Sequence, residues 1–181
     1  MKRPIIIGIA GPSGSGKSAV AAKLEERLDC RVFHSDGYFN DPLPTLVSPD
    51  DGETYPDWNQ PASVCWSRLI DDIQREAKEA NHPYILVEGM LLFSIEELRE
   101  LLDWRVFVTA KIETCLYRRI LRNIKLFNQT PDFIGGYYLK CARHQEAKYC
   151  LPTIRYADFI IDNDISFESQ LEKLPFLHTE P

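Results

Sequence analysis

The chain has 181 residues, 44% hydrophobic and 27% charged, which suits one globular domain with a full hydrophobic core. Its net charge of −6 argues against nucleic acid as the main partner, because that contact needs a basic face. No apolar stretch approaches membrane-spanning length, no long apolar core opens the chain, and the five cysteines include no C-x-x-C pair, so a cytoplasmic protein with reduced thiols and no membrane partner is expected.

The elements alternate in type. Residues 5–9, Ile-Ile-Ile-Gly-Ile, read as a strand, and residues 11–18, Gly-Pro-Ser-Gly-Ser-Gly-Lys-Ser, complete a G-x-x-x-x-G-K-[ST] phosphate-binding loop directly after it. Val20, Leu24 and Leu28 mark one face of the following helix. A short strand is predicted over 31–34. The stretch 40–61, with prolines at 42, 44, 49, 56 and 61, reads as a long irregular connection of the kind that is functional or mobile. Val64, Leu69, Ile70, Ile73 and Ala77 predict a helix ending near Asn81-His82-Pro83. Residues 84–87, all apolar, read as a buried parallel strand. Ser94-Ile95-Glu96-Glu97 offers a capping box for a short helix through Leu102, and 104–108 is another strand. Ile112, Leu116, Ile120 and Ile124 define a basic helix, with more helix over about 136–149. A last strand over 157–161 and a helix around 167–174 follow. Repeated βα units predict a mostly parallel sheet with helices on both faces.

In such sheets ligands sit at the carboxyl ends of the strands. Gly11, Ser13, Gly14, Ser15 and Gly16 would wrap main-chain N–H groups around phosphate oxygens. Lys17 would reach the β and γ phosphates, and Ser18 would ligate Mg²⁺. The second strand delivers Asp36 to the same edge and the third delivers Glu88, the two carboxylates a phosphoryl transfer can use for the hydroxyl and for the metal shell. On the basic helix, Arg118 and Arg122 share a face suited to phosphate, while Arg119 points elsewhere and Lys125 reads as solvated surface. A regulatory GTPase would need a guanine-selecting N-K-x-D segment, which is absent.

The ordered set GPSGSGKS, HSDGYF, PDWNQP, ILVEGMLLF, RRILRN and RYADFIID resembles the nucleoside kinases of the uridine kinase group, and within it the nicotinamide riboside kinases, over about residues 4–162. The resemblance implies a three-layer α/β P-loop kinase fold with a five-stranded sheet, one domain over 1–181, a substrate-binding insertion at about 37–61 and a small helical lid at about 118–138. It implies ATP and Mg²⁺ as cofactors and a small-molecule nucleoside as substrate, phosphorylated on its 5′-hydroxyl. Nicotinamide riboside is the first reading, and uridine or cytidine, or another small metabolite, is the alternative. A monomer or homodimer is expected. Asp36 would be the base, Lys17, Arg118 and Arg122 would serve catalysis, Arg119 would bind nucleotide, and Ser18 and Glu88 would hold the metal. Tyr38, Asp57, Trp58, Asn59 and Phe133 would bind the acceptor, with Phe133 and Tyr137 either supplying a second aromatic wall or belonging to the core. Trp58 either stacks on the base or anchors its loop. Asn59 stands where the family often has a ribose-gripping aspartate, so either Asn59 does that work, or Asp57 takes it over, or the substrate differs.

Overall fold

The structure is a computed structural model that describes residues 3–178. Five strands, β1 (Ile5–Ala10), β2 (Cys30–His34), β5 (Tyr84–Glu88), β6 (Trp104–Thr109) and β7 (Phe159–Asp162), form one sheet in the order β2-β5-β1-β6-β7, and every pairing is parallel. β1 therefore sits in the middle, and the carboxyl ends of β1, β5 and β2 lie side by side.

Strand alternation divides the core between the two faces. On β5, Ile85 and Val87 pack with Leu69 and Ile73 of α2 (Trp66–Glu79), and with Leu98 of α3 (Glu96–Leu101). Tyr84 and Leu86 face the other way, onto Val20 and Leu24 of α1 (Lys17–Glu25) and Leu171 of the C-terminal α7 (Glu168–Leu171). β5 is buried along its whole length, as the apolar run Tyr84–Val87 requires, with Glu88 buried at its end. Leu69 and Ile73 are fully buried one helical turn apart, and truncating either to Ala should cost about 2–5 kcal/mol.

Three local expectations are corrected. The connection over 40–61 is not irregular throughout: β3 (Thr45–Val47) and β4 (Thr54–Pro56) pair antiparallel, with Leu46 opposite Tyr55. Gly52, at φ 75°, lets the chain reverse, and the Ser48 N–H donates to the Glu53 carbonyl at 2.8 Å. The capping box at Ser94 does not form. The Ser94 hydroxyl donates to the Leu91 carbonyl at 2.6 Å inside a 3₁₀ turn, so Ile95 takes the N-cap of α3. The helix after the basic one starts early: α4 (Ile112–Phe127) stops at left-handed Asn128, and α5 (Pro131–Tyr137) begins with Thr130 accepting the Phe133 N–H at 3.2 Å and Pro131 at the first position. It continues through a π-type turn, Tyr138–Ala142, α6 (Arg143–Gln145) and a second π-type turn, Glu146–Cys150.

Candidate active site

The donor side starts where β1 runs into the phosphate loop. Gly14 at φ 87° and Gly16 at φ 98° hold left-handed backbone that other residues resist. Gly16 is the N-cap of α1, so the Lys17 and Ser18 N–H groups have no partner within the helix and add its positive end to the cradle. The loop is also gripped from outside. The Asn163 side chain donates to the Ser15 carbonyl at 2.7 Å, and a Cβ on Gly16 would collide with that side chain. A Cβ on Gly14 would strike the Cys115 carbonyl of α4. Lys17 Nζ lies 3.7 Å from Glu88 Oε1, and Glu88 Oε2 meets His34 Nδ1 at 3.0 Å. A buried lysine and a buried carboxylate thus neutralise each other at the end of the sheet.

A cleft of about 690 Å³ opens over these strand ends. Ser13, Lys17 and Ser18 of the loop line it, together with Asp36 from the turn after β2 and Glu88 from the end of β5. Ser35, next to Asp36, is buried, and a Cβ on Gly89 would run into its hydroxyl, so the Ser35 side chain packs directly on the Gly89 backbone.

The arginine register on α4 differs from the expectation. Arg119, Arg122, Asn123 and Leu126 line the cleft, a stripe at i, i+3, i+4 and i+7. Arg118 instead lies over the phosphate loop beside Gly16 and donates to the Asn163 carbonyl at 3.0 Å. Both i+3 and i+4 spacings place residues on neighbouring faces, and only the docking of α4 on the loop decides which arginine turns inward. Arg122 reaches Ser13 Oγ at 3.3 Å. Burial and the neighbouring Arg119 charge push its guanidinium pKa down, while Asp36 and Glu88 act the other way. Arg119 is 8% exposed, and its Nε has no hydrogen-bond partner among the described residues. A buried, unpartnered cationic donor at a cleft wall fits an anionic ligand.

The opposite wall of the cleft is built from the proline-rich connection and α5. Asn59 lines the cleft but is 4% exposed, and its amide is held by direction. Nδ2 donates to the Tyr137 hydroxyl at 3.0 Å, Tyr137 donates onward to the Pro56 carbonyl at 3.0 Å, and the Asn59 N–H donates to Asp57 Oδ1 at 2.7 Å. With Nδ2 engaged inside the protein, Oδ1 is the amide atom left for a ligand hydroxyl. Asp57 is fully buried and does not line the cleft; its carboxylate accepts from Gln145 and Asn59 as the floor beneath the site. Burial, with the Asp57 charge, raises the Tyr137 pKa well above the usual phenol range.

Trp58 and Phe133 both line the cleft and are 41% and 57% exposed, with Trp58 edge-to-face on Tyr137 at 5.6 Å. Tyr38 is turned away: its hydroxyl donates to Asp72 at 2.9 Å, and Arg68 covers its ring at 4.8 Å. Phe39, Val64 and Gln129 line the cleft without having been singled out as site residues in the sequence, and Tyr137 lines it together with Phe133. Gln145 and Glu146 were missed too, because a polar pair inside a helical run carries no local mark of burial.

For a divalent cation, the described residues hold no cluster of His, Cys, Asp and Glu that would bind it alone. Ser18, Asp36 and Glu88 nonetheless present oxygen donors to one cleft. That suits Mg²⁺, which takes one or two carboxylates and completes its shell with phosphate oxygens and water. Among the described residues, no helix is long and apolar enough to cross a membrane.

A parallel sheet with a phosphate loop at its centre and acids on the adjoining strand ends defines an α/β P-loop kinase fold. Residues 68–166 match the phosphoribulokinase / uridine kinase family, more than half of the sequence, and the chain belongs to that family. It is 29% identical to a uridine kinase of Clostridium novyi, with 99% of each covered. It is 30% identical to a uridine kinase of Chlamydia pneumoniae, covering 87% of this chain and 81% of the relative. Among solved structures, a Thermus thermophilus protein superposes with a TM-score of 0.62 at 20% identity, covering 99% of this chain and 100% of that one. That last likeness bears on the fold alone.

Proposed function

We propose that the protein is an ATP-dependent nucleoside kinase that phosphorylates the 5′-hydroxyl of a pyrimidine nucleoside of the uridine type. The observation that carries this reading is the meeting of Lys17, Ser18, Asp36, Glu88, Arg119 and Arg122 around one cleft. The names of the relatives favour uridine over nicotinamide riboside as the acceptor.

Each group has a task. Asp36 accepts the proton of the attacking hydroxyl as the oxygen–phosphorus bond forms and the bond to the leaving diphosphate breaks. The loop N–H groups and Lys17 hold the donor phosphates, and Arg119 and Arg122 stabilise charge on the moving phosphoryl group. Bound Mg²⁺, held by Ser18 with Glu88 and Asp36 in its surroundings, would supply further charge neutralisation. Asn59 Oδ1 accepts from a ribose hydroxyl, and Trp58, Phe133 and Tyr137 flank a planar base.

That aromatic wall would also take a cationic pyridinium ring, which keeps nicotinamide riboside as the second reading. The test is an ATP-consumption screen over uridine, cytidine, nicotinamide riboside, pantothenate and simple sugars. Turnover with uridine or cytidine is expected. Turnover with nicotinamide riboside alone would move the acceptor assignment, and no turnover with any nucleoside would remove the kinase reading.

A further inference from the structure

Glu146 stands in the second π-type turn with 5% of its surface exposed, far in sequence from the α4 arginine it touches. Its carboxylate accepts from Arg119 Nη1 at 3.5 Å. Burial raises its pKa, against the charges of Arg119 and Lys17, so the carboxylate is held there at a cost. A buried ion pair of this kind is weak as a stabilising device, since apolar replacements are often neutral or better. Packing alone therefore gives no reason for a carboxylate here.

The contacts give one. Arg119 is anchored to Glu146 through Nη1, the rings of Tyr137 and Tyr138 lie 5.8 Å and 6.0 Å from its guanidinium carbon, and its Nε has no partner among the described residues. One buried carboxylate thus fixes an arginine that lines the wall of the cleft.

We propose that Glu146 is a positioning residue for the Arg119 guanidinium. It fixes the guanidinium at the cleft wall, so that its Nε side meets the transferred group without rearranging. This rests on the kinase reading above. Misplacing such a group by about 1 Å can cost about 10²-fold in rate.

The experiment is Glu146→Gln, which keeps the shape and an acceptor for Arg119 but removes the charge that holds it. We expect kcat to fall by about 10- to 100-fold and the acceptor KM to stay within about threefold. Removing one partner of a buried pair leaves the Arg119 charge uncompensated, so the melting temperature should fall as well, and both kinetic constants are read at a temperature where circular dichroism shows the variant folded. A purely structural residue would leave kcat per folded molecule at the wild-type value. Arg119→Gln, which keeps a donor towards Glu146, completes a double-mutant cycle: added to it, Glu146→Gln should cost less than about threefold more, since residues acting as a unit are not additive. Wild-type kcat in Glu146→Gln, or the same loss in both backgrounds, overturns the proposal. If wild-type protein phosphorylates no nucleoside, the kinase reading fails by itself, and the same cycle is read in ATP affinity by calorimetry. Unchanged affinity in Glu146→Gln then overturns the positioning role as well.

Discussion

The two sides of the cleft are built by different physics. From Gly11 to Ser18 the donor side is one short run of chain, shaped by left-handed glycines and the first turn of α1, and its binding groups are largely peptide N–H. The other side draws Asn59 from the loop after β4, Phe133 and Tyr137 from α5 and Gln145 from α6, with side-chain hydrogen bonds tying Asn59 to Tyr137 and Gln145 to Asp57. A backbone cradle tolerates little change at its glycines and much elsewhere. A side-chain network can be retuned one residue at a time, which makes it the natural place for substrate choice.

Substitutions can break that contrast. The largest effect should come from Asp36→Asn, where the sides meet: kcat should drop by about 10²–10⁴ with folding and ATP binding kept, as steady-state kinetics and calorimetry would record. Near-normal turnover would remove Asp36 from the base role. Gly16→Ala should damage the donor side selectively, because it strains a left-handed position by about 1–3 kcal/mol and drives a methyl into Asn163. ATP affinity should fall while the aromatic wall, probed by Trp58 fluorescence, is unchanged.

Trp58→Ala should do the reverse, raising the acceptor KM about tenfold, the lower part of the 1–3 kcal/mol attributed to stacking a base, with the ATP KM unaffected. Asn59→Asp is the sharper probe. It sets a second carboxylate beside buried Asp57, so the single variant should lose about 1–3 kcal/mol of stability in chemical denaturation, and adding Asp57→Asn should restore part of it. Additive losses in the pair would show that the two residues do not share a network.

The smallest effect concerns the hairpin tip. Asp50, held by His144 and Arg143, and Asp51, held by Lys140 and Tyr55, both have pKa values below the usual carboxylate range. Groups depressed on folding contribute stability that is complete above their unfolded pKa of about 3.9 and is lost as pH falls through the folded values. On acid titration, NMR signals of the 45–56 hairpin should therefore change before those of the Trp104 core. Simultaneous loss would mean that the clamp does not act locally.

The sequence by itself determined the alternating architecture, the phosphate loop and the two strand-end carboxylates. Each of these is written in consecutive residues: apolar runs make strands, glycines permit one backbone path, and the residue after a parallel strand must emerge at its carboxyl edge. Tertiary structure alone decided that Arg119 rather than Arg118 faces the cleft, that Tyr38 turns to Asp72, that Asp57 lies beneath the site while Asn59 lines it, and that Gln145 and Glu146 support the two sides. Those outcomes depend on how α4, α5 and the hairpin dock against one another. Helix periodicity leaves i+3 and i+4 nearly equivalent, and a buried polar side chain is recognisable only by the partner that satisfies it.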